Sequence, residues 1–201
     1  MAEKLEWDGI TRGLHWGLTL CITFQLFSGL LISTPGTLVY FHLHEYVGLA
    51  AAAVILVHWM WSFTHQDLGL LFPWHSAGFA RVRDEFTGML RGRLPMAGPQ
   101  IGLSSFIHGL GLLAITVMGF TGVLLFMVIP ASDGGMASSA YPVAITSLSL
   151  IHRYMSYMVW IYWLGHVGFA LLHQLRGGGV FGAIFLGRPE RNPEVAKSNR
   201  A

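Results

Sequence analysis

Four long apolar stretches, divided by polar or charged interruptions, set the pattern along this chain. They run approximately from Thr11 to Ile32, His42 to Phe63, Leu103 to Ile129 and Leu148 to Leu175. Each reaches the ~20 residues a helix needs to cross a bilayer. Each must be helical, because a lone strand in lipid leaves its backbone groups unpaired. The breakers fall at the ends: Pro35-Gly36 after the first stretch, Pro130 after the third, Pro142 before the fourth. The pattern predicts an all-α integral membrane fold, a four-transmembrane-helix bundle that takes up the chain as one domain.

The connections differ in character. Residues 64–102 form a long one, within which Phe79, Val82, Phe86, Met89 and Leu90 recur at helical spacing between Ala77 and Arg93. That periodicity predicts a short helix lying on the membrane surface. The other two, Ser33 to Phe41 and Ala131 to Ser147, are short and almost uncharged. Anything done on that face needs a partner. Residues 176–201 read as a polar tail.

Composition moves the chain out of the soluble class. Hydrophobic residues make up 53% and charged residues 11%, against about a quarter charged in a soluble domain. The few charges then orient it. Lys4 and Arg12 precede or open the first span, Arg81, Arg83, Arg91 and Arg93 lie in the long connection, and Arg176, Arg188, Arg191, Lys197 and Arg200 follow the fourth. Arg153 is the exception, on the opposite side. By the positive-inside rule both termini and the long connection are cytoplasmic. Met1 to Trp7 carries Glu3 and Glu6 and no small-residue cleavage site follows, so the first apolar run is expected to be retained as a span. The expected surroundings are lipid, with no nucleic-acid partner.

Candidate chemistry rests on histidine. Cys21 is the single cysteine, which excludes a disulfide framework and any Cys-based iron–sulfur or zinc site within the chain. With no Cys-x-x-Cys-His, a haem here would be b-type. Ten histidines in so apolar a chain are a functional signal, because ionisable side chains in membrane helices are costly. His152 and His166 stand fourteen residues apart on the fourth span, on one stripe and ~21 Å apart along the axis. His44 opens the second span at the level of His152, and His15 lies in the first at the level of His166. Two imidazole pairs at two depths suit two six-coordinate, low-spin irons for electron transfer; a structural zinc would want four ligands at one depth. His58, fourteen residues after His44, is equally placed by spacing to be the inner ligand instead of His15. His65 and His173 mirror one another near the inner helix ends, where a surface role is expected; His75 reads as structural, and His108 as a packing residue or a contact to a propionate or quinone. Gly29 lies on the His15 stripe at the outer level, where a helix passing a porphyrin needs a small residue, and Gly119 and Gly122 are candidates for the same service on the third span. Arg153 is a candidate propionate partner, guanidinium matching carboxylate, with an interfacial pair to Glu45 as the alternative.

Arg12-Gly-Leu-His15-Trp16, the Phe27 to Pro35 run FSGLLISTP, His44-Glu-Tyr-Val-Gly48, the Gly119 to Phe126 run GFTGVLLF and the His152/His166 pair together resemble the prokaryotic cytochrome b561-like superfamily. The pattern looks most like the di-haem cytochrome b subunits of respiratory formate dehydrogenases and nickel–iron hydrogenases. That resemblance implies two haems b, His15 with His166 holding the cytoplasmic-side one and His44 with His152 the periplasmic-side one; the match at Arg12 to Trp16 selects His15 over His58. It implies electron transfer between an iron–sulfur or cytochrome subunit on the periplasmic face and a quinone near the cytoplasmic surface; no quinone contact is assigned, and His166, Gly165 and His173 mark only the location. The stand-alone cytochromes b561 of the same superfamily give the second expectation, a quinone-linked oxidoreductase acting on a small oxidant or reductant. A haem-free anchor or transporter subunit is the third.

Overall fold

A computed structural model describes residues 8–32, 38–64, 68–95, 101–129, 142–176 and 180–187. Among these described residues seven helices follow in order: α1 (Gly9–Leu31), α2 (Leu38–Thr64), α3 (Leu68–Leu71), α4 (Ser76–Leu90), α5 (Leu103–Val128), α6 (Pro142–Leu175) and α7 (Val180–Leu186). Among the described residues the fold is all-α, and α1, α2, α5 and α6 are long and apolar enough to cross a membrane. Lys4, His65 and the basic residues beyond Gly187 lie outside the described residues, as do parts of the two short connections.

Where helix limits depart from the apolar limits, local chemistry explains it. α2 begins at Leu38 rather than His42, and α6 at Pro142 rather than Leu148. Hydropathy marks the edge of the hydrocarbon layer, whereas backbone hydrogen bonding carries the helix past it; proline at the first helical position costs nothing, since its missing N–H has no intrahelical acceptor there. At 34 residues α6 is ~51 Å long, well beyond the ~30 Å hydrocarbon core. α4 ends at Leu90, three residues short of Arg93. Gly92 takes a left-handed φ of 77°, its N–H donates to the Met89 carbonyl at 2.9 Å, and the Arg93 N–H donates to the Gly88 carbonyl at 2.9 Å. This pair of bonds is the Schellman closure that glycine permits. His75 caps the other end, Nδ1 accepting from the Gly78 N–H at 3.1 Å, so its structural role is that of an N-cap. α7 falls in the stretch read as tail; its Val180 and Ala183 are buried, and seven residues are too few to stand out by periodicity.

The chain divides into two compact units. One comprises Gly13–Trp61 and Leu112–Ile161, that is α1 beyond Arg12, most of α2, the second part of α5 and the first part of α6. Its four helices close on one another in turn. Gly17 of α1 faces Val54 of α2, Gly119 of α5 faces Ala52 and Ile55 of α2, Trp59 Nε1 donates to Thr116 Oγ1 at 3.0 Å, and Phe27 of α1 meets Trp160 of α6 edge to face. Small residues at such crossings let backbones approach where no hydrophobic driving force operates between helices. Polar side chains share the interior with apolar ones such as Leu26, Ile55 and Val159. Gln25, Ser28 and Thr121 are buried, while Leu20, Leu56, Met60, Phe120 and Met127 are exposed, as expected for a surface solvated by lipid.

The other unit comprises the chain up to Arg12, Ser62–Gly111 and from Tyr162 onward. Here α4 is tied down by one carboxylate. Glu85 accepts from the Leu103 N–H at 2.8 Å, serving the exposed donors at the start of α5, and receives Arg81 at 3.6 Å. Phe79 of α4 meets Phe106 of α5 edge to face, and Gly78 packs directly on Pro73. Phe86 and Leu90, further along the same stripe of α4, are exposed.

Candidate functional site

The two histidines expected at one level come together. His44 from α2 and His152 from α6 have ring centres 6.3 Å apart and planes at 80°. Two imidazoles on opposite sides of one metal, each bonded at about 2 Å with its ring centre about 1 Å further back, have centres about 6 Å apart. The separation fits a shared iron.

Both rings are held from behind in the same way. Ser28 Oγ lies 2.9 Å from His44 Nδ1, and Thr121 Oγ1 lies 3.0 Å from His152 Nδ1. The next residue in each helix is a glycine against the same ring: a Cβ at Gly29 would lie 3.6 Å from His44 Cε1, and one at Gly122 would lie 3.3 Å from His152 Cε1. Gln25 supports the backbone, donating from Nε2 to the His44 carbonyl at 2.6 Å. Gly48, one turn after His44, leaves the room for that amide, since a Cβ there would stand 3.1 Å from Gln25 Nε2. The His-x-x-x-Gly spacing thus has a steric reason.

Arg153 is fully exposed next to His152, donating to the Tyr157 hydroxyl at 3.2 Å, while Glu45 pairs with His42 at 3.2 Å. His15 and His58 both belong to the unit that contains His44 and His152; the His15 ring meets Trp16 edge on, and its carbonyl accepts from Thr19 Oγ1 at 2.8 Å. His166 belongs to the other unit, where it lies 4.8 Å from His108 between ring centres and stacks on Tyr162. His108 donates from Nδ1 to the Ser104 carbonyl at 2.7 Å. At 4.8 Å edge to face, His108 and His166 are packed on each other rather than spaced for a metal between them. Among the described residues no three His, Cys, Asp or Glu side chains converge as a metal cluster.

A family model described as prokaryotic cytochrome b561 matches residues 6–187. The chain belongs to that family. This cytochrome is therefore a multi-pass membrane protein of the b type, working in electron transfer, and its family binds haem b, as a rule through histidines. The His44–His152 pair fits that group in spacing, in helix origin and in its supported Nδ1 atoms. No curated protein and no solved structure matches the chain.

Reading the sequence for histidine and glycine finds the ring pair and both glycines but passes over Ser28, Thr121 and Gln25. The available signal was their polarity in otherwise apolar helices, together with the recurrence of Phe-Ser-Gly and Phe-Thr-Gly before branched apolar residues.

Proposed function

We propose that this cytochrome carries two haems b in bis-histidine ligation and passes electrons across the inner membrane between a redox partner on the periplasmic side and the quinone pool. The observation that carries the proposal is the His44–His152 pair, 6.3 Å between ring centres and braced from α1 and α5. A bound haem b would supply a one-electron couple, with two histidine nitrogens holding it. His44 and His152 supply those nitrogens at the periplasmic side, Gly29 leaves space beside the His44 ring, and exposed Arg153 is available to a propionate. His15 and His166 are assigned the second haem on the motif Arg12 to Trp16 and the fourteen-residue spacing from His152.

The charge distribution supports cytoplasmic termini; the second haem is assigned to that side, with the quinone near it, and His166, Gly165 and His173 mark only that location. The short connections on the periplasmic face support an external partner, an iron–sulfur or cytochrome subunit like those of respiratory formate dehydrogenases and nickel–iron hydrogenases. A pyridine haemochrome assay on the purified chain should count two haems b per polypeptide. A count of one or none overturns the di-haem assignment. A catalytic subunit should also co-purify, whereas full quinone-linked activity in the isolated chain would make it a stand-alone oxidoreductase.

A further inference from the structure

The hydroxyls behind His44 and His152 carry more information than packing. Ser28 is 3% and Thr121 4% exposed, so each buried hydroxyl must place its one proton and its lone pairs within the protein. Ser28 Oγ donates to the Gln25 carbonyl of its own helix at 3.3 Å. Thr121 Oγ1 donates into its own helix too, with the Val117 carbonyl at 2.9 Å and the Met118 carbonyl at 3.0 Å. A hydroxyl whose proton stays on the backbone carbonyl faces its histidine as an acceptor. The Nδ1 of His44 and of His152 is then the protonated nitrogen, and Nε2 keeps the lone pair that a metal takes up.

The arrangement occurs twice because the chain itself is doubled. Phe27-Ser28-Gly29-Leu30-Leu31 on α1 parallels Phe120-Thr121-Gly122-Val123-Leu124 on α5, with His15 and His108 each fourteen residues before the glycine. His44-Glu45-Tyr46 on α2 parallels His152-Arg153-Tyr154 on α6, with His58 and His166 each fourteen residues on. Two helix hairpins of like direction are the parallel kind of membrane repeat. Each hairpin contributes one histidine, one hydroxyl and one glycine to the same place. Two separate stretches of chain solving the ring's hydrogen bonding alike argues against an incidental back-bonded hydroxyl.

We propose that Ser28 and Thr121 are matched positioning residues for the haem between His44 and His152: they fix both imidazoles as Nδ1–H tautomers, set the ring planes and lower that haem's midpoint potential. The proposal rests on the reading of His44 and His152 as its two ligands. An acceptor on Nδ1–H makes the imidazole a more basic ligand, which favours ferric over ferrous iron. Because the two bonds act on opposite faces of one iron, their loss moves the same haem in the same direction.

The test is a potentiometric titration of the purified cytochrome, followed at the ferrous α band, with ferric electron paramagnetic resonance on the same samples. Ser28→Ala and Thr121→Val should each raise one and the same midpoint by about tenfold in ferrous-over-ferric preference, or 59 mV for one electron, leaving the other unmoved. The low-spin signal of that haem should shift as its rings loosen. Thr121→Ser keeps the hydroxyl and should keep the wild-type potential and signal. Loss of one haem in Thr121→Val with retention in Thr121→Ser also assigns the effect to the hydroxyl. Unmoved midpoints and signals, movement of different haems by the two variants, or equal damage in Thr121→Val and Thr121→Ser would overturn the proposal. Wild-type protein without a low-spin b spectrum would instead overturn the underlying haem assignment.

Discussion

Gly48 offers the sharpest test of how the His44 side of the site is built. A methyl group there would stand 3.1 Å from Nε2 and 3.7 Å from Cδ of Gln25, an amide that is only 5% exposed and bonded at 2.6 Å to the His44 carbonyl. The side chain can move the few tenths of an ångström required, but that motion loosens its bond. A typical hydrogen bond contributes about 1 kcal/mol net, and a buried amide left without a partner costs about 1–3 kcal/mol. Alanine gains about 1 kcal/mol over glycine in a helix interior. In the wild-type background the two effects nearly cancel or leave a net loss of up to about 2 kcal/mol. In a Gln25→Ala background the obstructing amide is gone, and Gly48→Ala should stabilise by about 1 kcal/mol. The coupling between the two positions is therefore about 1–3 kcal/mol. Thermal unfolding of the four detergent-purified proteins, followed by helical circular dichroism, measures it. If Gly48→Ala shifts the midpoint equally in both backgrounds, Gly48 makes room for something other than Gln25 and the steric account of the motif fails.

Two further predictions address the inner level and the surface helix. His15→Ala should remove one haem or turn it high-spin while His58→Ala leaves both intact; an optical spectrum showing the reverse would put all four ligands on α2 and α6. Glu85→Ala removes the acceptor for the Leu103 N–H and should cost about 1 kcal/mol as a lost helix cap. It should also speed limited proteolysis between α4 and α5, and an unchanged cleavage rate would show that Phe79 and Phe106 alone hold α4 in place.

What the sequence makes legible follows from range. Spans are long and their signal is summed over ~20 residues, so the four helices can be read without knowing any neighbour. The surface helix is readable for the same reason, through Phe79, Phe86 and Leu90. The helix starts at Leu38 and Pro142 are not, because they lie where lipid ends and only backbone bonding continues. His44 and His152 stand out as single costly residues in apolar helices, so their chemistry announces itself. Ser28, Thr121 and Gln25 do not, because hydroxyls and amides are tolerated in membrane helices for packing alone, and their partners are sixteen to thirty-one residues away.

Pairing is harder still, and the internal duplication shows why. Under the repeat, His44 corresponds to His152, so the proposed iron between them would sit where the two hairpins are equivalent and each can brace its own ring. The same correspondence relates His15 to His108 and His58 to His166. A symmetric inner site would take one of those two pairs. His108 is packed edge to face on His166 at 4.8 Å, so those two rings do not share an iron. Pairing His15 with His166 thus breaks the repeat, and it leaves His58 and His108, one from each hairpin, outside the ligand set. Under the proposed ligand set, the level nearer the short connections would keep the recurring design and the other level would depart from it.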